Sequence, residues 1–475
     1  MNILNKPISY KNILFIPFFI ITALSIGFAS TQTSIVNYLN FLVLFFLLLA
    51  ITLRFKYNVF PVLVIYLIFL GLIRRLLIPV TGWPEYDLLL IVVPLITLIL
   101  FIYTLFNRKY VNVFQKNLLT KIMYIILLVG VLQIFNPLGG SLLSGIMGSI
   151  FLIIPWCWYF ISYYYFDEQK ILKVFKIIEI IGFSVACYGL YQTFYGYLPF
   201  EKVWFDIAGY QALYIGQSLR AIGTFPSAME YTVFCMITFI ISFSHLILKS
   251  KLKYFHILTC IVSFMAIIFE STRTIIITTI FASISMYIFS KNKKSTKLII
   301  TFFAFILLVF FVNSLRYIPT QIFGDQANNI EHIISGLTNP LAEDDTGSLH
   351  IERVFSGIIT PLKNPVGYGL GTITTGATKS GSNLSTEFDI SNILVGFGLI
   401  GFIYLIAYIL VFRNALKYIN LKKDTISLAI FGILIGGIGQ WSGGGTYLVS
   451  IIFWTLIGFI SKQDIGKKET NDVKS

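Results

Sequence analysis

Six of the nine arginines, Arg74, Arg75, Arg220, Arg273, Arg316 and Arg353, fall in segments that the charge pattern assigns to the outer side of a membrane, with only Lys202, Lys363 and Lys379 beside them. Arginine's planar fork grips phosphate or carboxylate through paired hydrogen bonds and never loses its charge, whereas lysine offers a point charge. A face that selects arginine therefore suits an anionic ligand. The plainer reading is that each arginine anchors a span or pairs with a nearby acid, as Glu270 can with Arg273 three residues on. Arg220 belongs to LRAIGTFPSAMEY, in which Pro226, Ser227 and Glu230 have the spacing of a helix start with a capping box. It thus stands near free amides and a helix dipole that favour an anion. Arg273 opens an apolar run in ESTRT, and Arg353 lies in a long loop. Two carboxylates, Glu387 and Asp389 in TEFDIS, precede another apolar run, where a carboxylate can take a proton from a hydroxyl. Asp389 also fits an N-cap, which leaves Glu387 the less explained of the two.

Other chemistry finds little support. Cys157, Cys187, Cys235 and Cys260 all fall in apolar runs without a CxxC pair, and His245, His256, His332 and His350 lack ligand spacing. No metal and no cofactor are expected. The glycines of NPVGYGLGTITTG lack the preceding strand and following helix of a dinucleotide site; they are expected to end a helix and leave an adaptable backbone.

The elements that must position these residues follow from composition. A chain of 475 residues that is 57% hydrophobic and 12% charged, with a mean hydropathy of +0.84, is a membrane protein. Its apolar runs have the length of bilayer-crossing helices, about 20 residues, and the alternation of a barrel is absent. The expected class is all-α, a polytopic bundle with about 14 spans near 13–30, 35–53, 58–78, 88–106, 118–135, 144–165, 177–198, 227–248, 255–270, 273–290, 298–313, 390–412, 425–440 and 446–461. With both termini cytoplasmic, 26 of the 35 basic residues lie inside, as the positive-inside rule requires. The net charge of +14 is thereby a topology signal, and no nucleic acid is needed to explain it. The N-terminal apolar run resembles a signal sequence and is expected to be retained as the first span.

The organisation is then spans 1–11 over residues 1–313, a large extracytoplasmic loop over 314–389, spans 12–14 over 390–461, and a cytoplasmic tail over 462–475. Long loops of this kind are usually functional. In SLHIERVFSGIITPL, Ile351, Val354, Phe355, Ile358, Ile359 and Leu362 share one helical face while Arg353, Ser356 and Thr360 take the other, an amphipathic helix for the membrane surface or the bundle. No internal repeat is visible and ionisable residues within spans are few, which argues against an ion-coupled carrier.

RAIGTFPSAMEY, STRT one span later, ERVFSGIITPLKNPVGYGLG in the outer loop and TEFDISNILVGFGLIGFIYL entering the next span together resemble the O-antigen ligase and polymerase superfamily, closest to its Wzy-type polymerases. The resemblance covers roughly 215 to 410; the first 200 residues match only in hydropathy. It implies a bacterial inner-membrane, metal-independent glycosyltransferase. Donor and acceptor glycans would be carried on undecaprenyl pyrophosphate, and a flippase and a chain-length regulator would be its partners. It implies that Arg220, Arg273 and Arg353 hold the pyrophosphate and that Glu387, or else Asp389, is the base. Ligases of the superfamily carry a histidine about eleven residues before the G-L-x-G of the following span. Here Glu387 occupies that place ahead of Gly398, which is more like the polymerases. A ligase of the same superfamily and a lipid-linked oligosaccharide flippase are the alternatives.

Overall fold

A chain this rich in Leu, Ile, Val and Phe can satisfy its backbone inside a bilayer only within its own helices, and the computed structural model is built that way. It describes residues 34–81, 87–106, 117–208, 214–215, 218–290, 331, 334–335, 338, 346–374, 384–386, 388–443 and 447–463. The helices are α1 (Ser34–Phe55), α2 (Phe60–Thr81), α3 (Val92–Phe106), α4 (Leu118–Ile134), α5 (Leu142–Tyr165), α6 (Glu168–Tyr195), α7 (Pro199–Ala208), α8 (Ala228–Ile247), α9 (Lys253–Glu270), α10 (Arg273–Ser290), α11 (Thr346–Lys363), α12 (Asp389–Phe397), α13 (Phe402–Lys422), α14 (Thr425–Gly436) and α15 (Tyr447–Gln463). Among the described residues, extended structure is confined to a two-residue antiparallel ribbon in which Tyr214 faces Leu219 and Ile215 faces Ser218.

Seven stretches are long and apolar enough to cross a membrane: Leu44–Pro79, Leu88–Phe106, Leu142–Tyr165, Ala228–Ile247, Lys253–Glu270, Arg273–Ser290 and Asp389–Lys422. The protein is an all-helical, multi-pass membrane protein. The spans expected at 13–30 and 298–313 lie outside the described residues. Those expected at 118–135, 425–440 and 446–461 are shorter apolar helices, that expected at 177–198 lies mostly in α6, which is not among the seven, and those at 35–53 and 58–78 overlap the one stretch Leu44–Pro79, interrupted by a 3-10 turn at Lys56–Val59.

The centre of the bundle is α5 against α15, with α3 on one side, and α8 packed on α6, α9, α10 and α14. Many polar groups in this interior are paired, although the hydroxyls of Ser450 and Thr455 make no hydrogen bond among the described residues. The Ser162 hydroxyl donates to the Thr455 carbonyl at 2.6 Å and Trp158 Nε1 donates to Thr97 Oγ1 at 3.1 Å. An unpaired polar group at such depth would cost the full price of its desolvation.

The loop NPVGYGLG departs from its expected adaptability. Gln133 Nε2 donates to the Val366 carbonyl at 2.8 Å and Asn136 Nδ2 to the Gly367 carbonyl at 3.0 Å. The amides of Tyr368 and Gly369 donate to Val395 and Gly396 at the end of α12, at 2.9 and 3.0 Å. Its glycines serve close packing, and the segment is clasped.

Candidate functional site

The loop that carries Arg220 is held by two helices, α2 and α6. On α2, Arg75 is fully buried. Its Nη1 donates to the Phe225 carbonyl at 2.6 Å, its Nη2 to the Gly223 carbonyl, and its Nε lies 3.2 Å from Glu201 Oε1. That last contact is an ion pair without hydrogen-bond geometry. On α6, Gln192 Oε1 accepts from the amides of Ile222 at 3.1 Å and Gly223 at 2.7 Å, while its Nε2 donates to Glu201 at 2.8 Å. The loop's own Thr224 donates its hydroxyl to the Ile68 carbonyl at 2.6 Å and accepts from the Leu72 amide at 2.9 Å. Gly71 makes that approach possible, because a Cβ there would stand 2.5 Å from the Phe225 carbonyl carbon. Residues 221–225 are buried, and Arg220, at their edge, is presented on a rigid support.

Its guanidinium points to the turn between α9 and α10. Nη2 pairs with Glu270 Oε1 and donates to Thr272 Oγ1 at 3.0 Å, and Nε donates to the Glu270 carbonyl at 3.2 Å. Glu270 is buried, and its other oxygen accepts the Thr272 amide at 3.0 Å. The acid expected to pair with Arg273 is thus engaged by Arg220 instead, from 50 residues away in sequence. Arg273 is the first residue of α10, directly after this turn, and is partly exposed. Ser271 between them has φ +67°, a backbone that non-glycine residues adopt only when their surroundings hold them there. The structure therefore brings Arg220 and Arg273 to one turn.

The capping box at Ser227 is half formed. Ser227 Oγ accepts from the Glu230 amide at 3.2 Å, but the Glu230 side chain turns away and accepts from the Leu448 amide at 3.0 Å, at the start of α15. A carboxylate placed against a second helix's free amides stabilises that helix. Glu230 therefore joins the N-termini of α8 and α15.

Asp389 does not cap its own helix either. It is buried, the N-cap is Phe388, and Asp389 Oδ2 accepts from Tyr408 Oη and the Ser442 amide, both at 3.0 Å. Its amide donates to the Gly439 carbonyl at 2.9 Å. Behind it, the Ser442 hydroxyl meets Trp156 Nε1 at 2.9 Å, Trp454 Nε1 at 3.0 Å and Tyr404 Oη at 3.1 Å. Through Oδ2 this acid fastens α12 to the turn after α14, while its Oδ1 is buried without a hydrogen-bond partner among the described residues. Glu387 lies outside the described residues. Its neighbour Thr386 is held in place: the Thr386 amide donates to Asn392 Oδ1 at 2.7 Å, and its hydroxyl lies 2.5 Å from Ser391 Oγ.

These parts share one end of the bundle. Thr278, five residues into α10 from Arg273, donates to the Gly436 carbonyl at 2.6 Å. Gly439, three residues further on, receives Asp389. Five residues of helix rise about 7.5 Å, so the start of α10 and the start of α12 flank the same turn.

Arg353 stands on a different wall. It is on α11, where Arg353, Ser356, Gly357, Thr360 and Lys363 face Tyr368, Leu384, Ser385, Thr386 and Val395 across a cavity of about 450 Å³. Gly357 sets the contact, since a Cβ would lie 2.7 Å from Thr386 Cγ2 and 2.9 Å from Ser391 Cβ. The expected apolar face of this helix is left outside. Phe355 is 62% exposed and Leu362 72%, with Ile358 and Ile359 also exposed.

Sequence reasoning missed Gln192, Glu201, Thr386 and Asn392, and set Arg75 beside Arg74 among the outer arginines with nothing to separate the two. Arg74 pairs with Asp87 at a partly buried site, while Arg75 is the clamp. Gln192 and Glu201 carry no local signal, because their role exists only once α6 and α7 meet the loop. No protein-family model matches this chain, and a comparison with curated proteins finds none that matches.

Proposed function

We propose that the chain is a polysaccharide polymerase of the bacterial cytoplasmic membrane that joins oligosaccharide repeat units carried on undecaprenyl pyrophosphate at the outer face. The observation that carries this reading is the pair Arg220 and Arg273 at one turn, with Arg220 on a loop clamped by Arg75, Gln192 and Thr224. Rigidly held guanidinium groups suit a leaving pyrophosphate, because they need no reorganisation as its charge develops. In the reaction the acceptor hydroxyl attacks the anomeric carbon of the donor and the carbon–oxygen bond to phosphate breaks. Undecaprenyl pyrophosphate leaves with the bonding electrons. Arg220 and Arg273 hold that anion, Arg353 approaches it from α11, and Glu387 takes the hydroxyl proton. Asp389 keeps α12 in place. The bundle has fourteen spans with both termini in the cytoplasm, which puts 314–389 outside. The apolar stripe of α11 rests in the lipid interface, where a lipid-borne donor arrives. A flippase supplies that donor and a chain-length regulator is a partner.

Deleting the gene and resolving the cell's glycans by size tests this. Single repeat units without polymer are expected. Long chains left on undecaprenyl pyrophosphate would make the protein a ligase, and repeat units trapped on the inner leaflet would make it a flippase; either result overturns the polymerase reading.

A further inference from the structure

The cavity under α11 is more than one arginine. Arg353, Ser356, Gly357, Thr360 and Lys363 fall at helical spacing on a single face, and all five line it. Ten residues separate the two cations, about 15 Å along the axis, with two hydroxyl side chains between them. The facing wall adds Tyr368, Ser385 and Thr386. Among the described residues, the lining includes two cations and no carboxylate. A small anion calls for donors that converge on one point; this is a groove with a positive charge at each end and hydroxyls along it.

We propose that the groove binds an acidic oligosaccharide, a stretch of sugars bearing carboxylate or phosphate groups, with Lys363 reading the charge farthest from Arg353. The Ser356 and Thr360 hydroxyls donate to the carbonyls of Arg353 and Ser356 at 2.9 and 2.7 Å, which leaves their lone pairs to accept from sugar hydroxyls, and the Tyr368 ring is of the kind that sugar C–H groups pack against. The groove is built rather than incidental. Gly357 brings α11 onto Thr386 and Ser391, and Thr386 is fixed by Asn392 and Ser391. The polymerase reading enters only in assigning the bound sugar to the growing chain; the charge preference stands without it.

The test uses the full chain in phosphatidylcholine nanodiscs and two probes with one backbone, tetragalacturonic acid and its methyl ester. The acid is expected to bind about tenfold tighter than the ester at low salt, with the margin shrinking as salt rises. Lys363→Gln should weaken the acid about threefold, the scale of one exposed charge, and leave the ester unchanged. Arg353→Gln/Lys363→Gln should abolish the difference between the two. Equal binding of acid and ester, binding of neither, or a preference that survives the double variant overturns the proposal. Undecaprenyl pyrophosphate binding, measured in the same nanodiscs, separates the two readings. If it is retained while the acid preference is absent, the groove fails and the polymerase stands; an acid preference without lipid binding leaves the groove and removes the polymerase.

Discussion

Replacing Arg75 by Met should unfold the loop that displays Arg220. Arg75 and Glu201 are both fully buried and face each other at 3.2 Å. Removing one partner of such a pair strands the other charge at about 3–5 kcal/mol. The carbonyls of Gly223 and Phe225 lose their donors as well. Even the lower figure shifts the folded-to-unfolded ratio by roughly 10²-fold. The double variant Arg75→Met/Glu201→Gln removes the stranded charge while leaving an acceptor for Gln192, so it should regain about 2 kcal/mol over the single variant. The assay is the folded fraction and thermal midpoint of a fluorescent fusion on size exclusion in detergent. A single variant as stable as the parent, or a double variant no better than the single, would refute the clamp.

Three further expectations follow from the same contacts. Ser227→Ala should cost about 1 kcal/mol of stability as a lost N-cap, and Glu230→Ala about 1–3 kcal/mol because the buried Leu448 amide loses its acceptor; thermal midpoints in detergent check both. Arg220→Lys and Arg273→Lys should leave folded protein near normal yet impair polymer formation, since a point charge does not reproduce the fork; wild-type polymer from both would remove shared pyrophosphate binding. Asp389→Asn should lower the amount of folded protein with little change in activity per folded molecule, whereas Glu387→Gln should leave folded protein normal and cut polymerisation by about 10²- to 10⁴-fold. The reverse pattern would move the base to Asp389.

What the sequence made legible was whatever depends on local spacing. The apolar runs announced membrane helices. The position of Ser227 announced a helix start, and the periodicity of α11 announced an amphipathic helix, because each is a property of a few consecutive residues. What it hid depends on partners brought from afar. Glu270 has Arg273 three residues away and Arg220 fifty away, and local spacing favours the first. The fold chooses the second because α8, α9 and the 220–226 loop converge there. Glu230 was misassigned for the same reason: its local partner at Ser227 exists, but the free amides of α15 lie within reach only in the folded bundle. Asp389 looked like a cap because it precedes an apolar run, and its real partners, Tyr408 and Ser442, lie 19 and 53 residues along the chain.

The depth at which the 221–225 loop is held bears on why an arginine precedes such an apolar stretch. A guanidinium on a mobile loop would have to be ordered as its ligand arrives, at a cost of roughly 1.5–2 kcal/mol in side-chain entropy alone. Here the backbone is fixed from α2 and α6, and Glu270 with Thr272 fixes the side chain itself. Glu270 also offsets part of the positive charge, so the site gives up long-range attraction in favour of orientation. That exchange suits a ligand delivered by diffusion in the membrane plane, for which capture from bulk water matters less than the angle at which the anion is met. It also explains the composition of the clamp. Arg75 holds two carbonyls from two separate nitrogens of a planar fork; a lysine in the same position would offer its donors from a single atom on a flexible stem and hold the loop's direction less firmly.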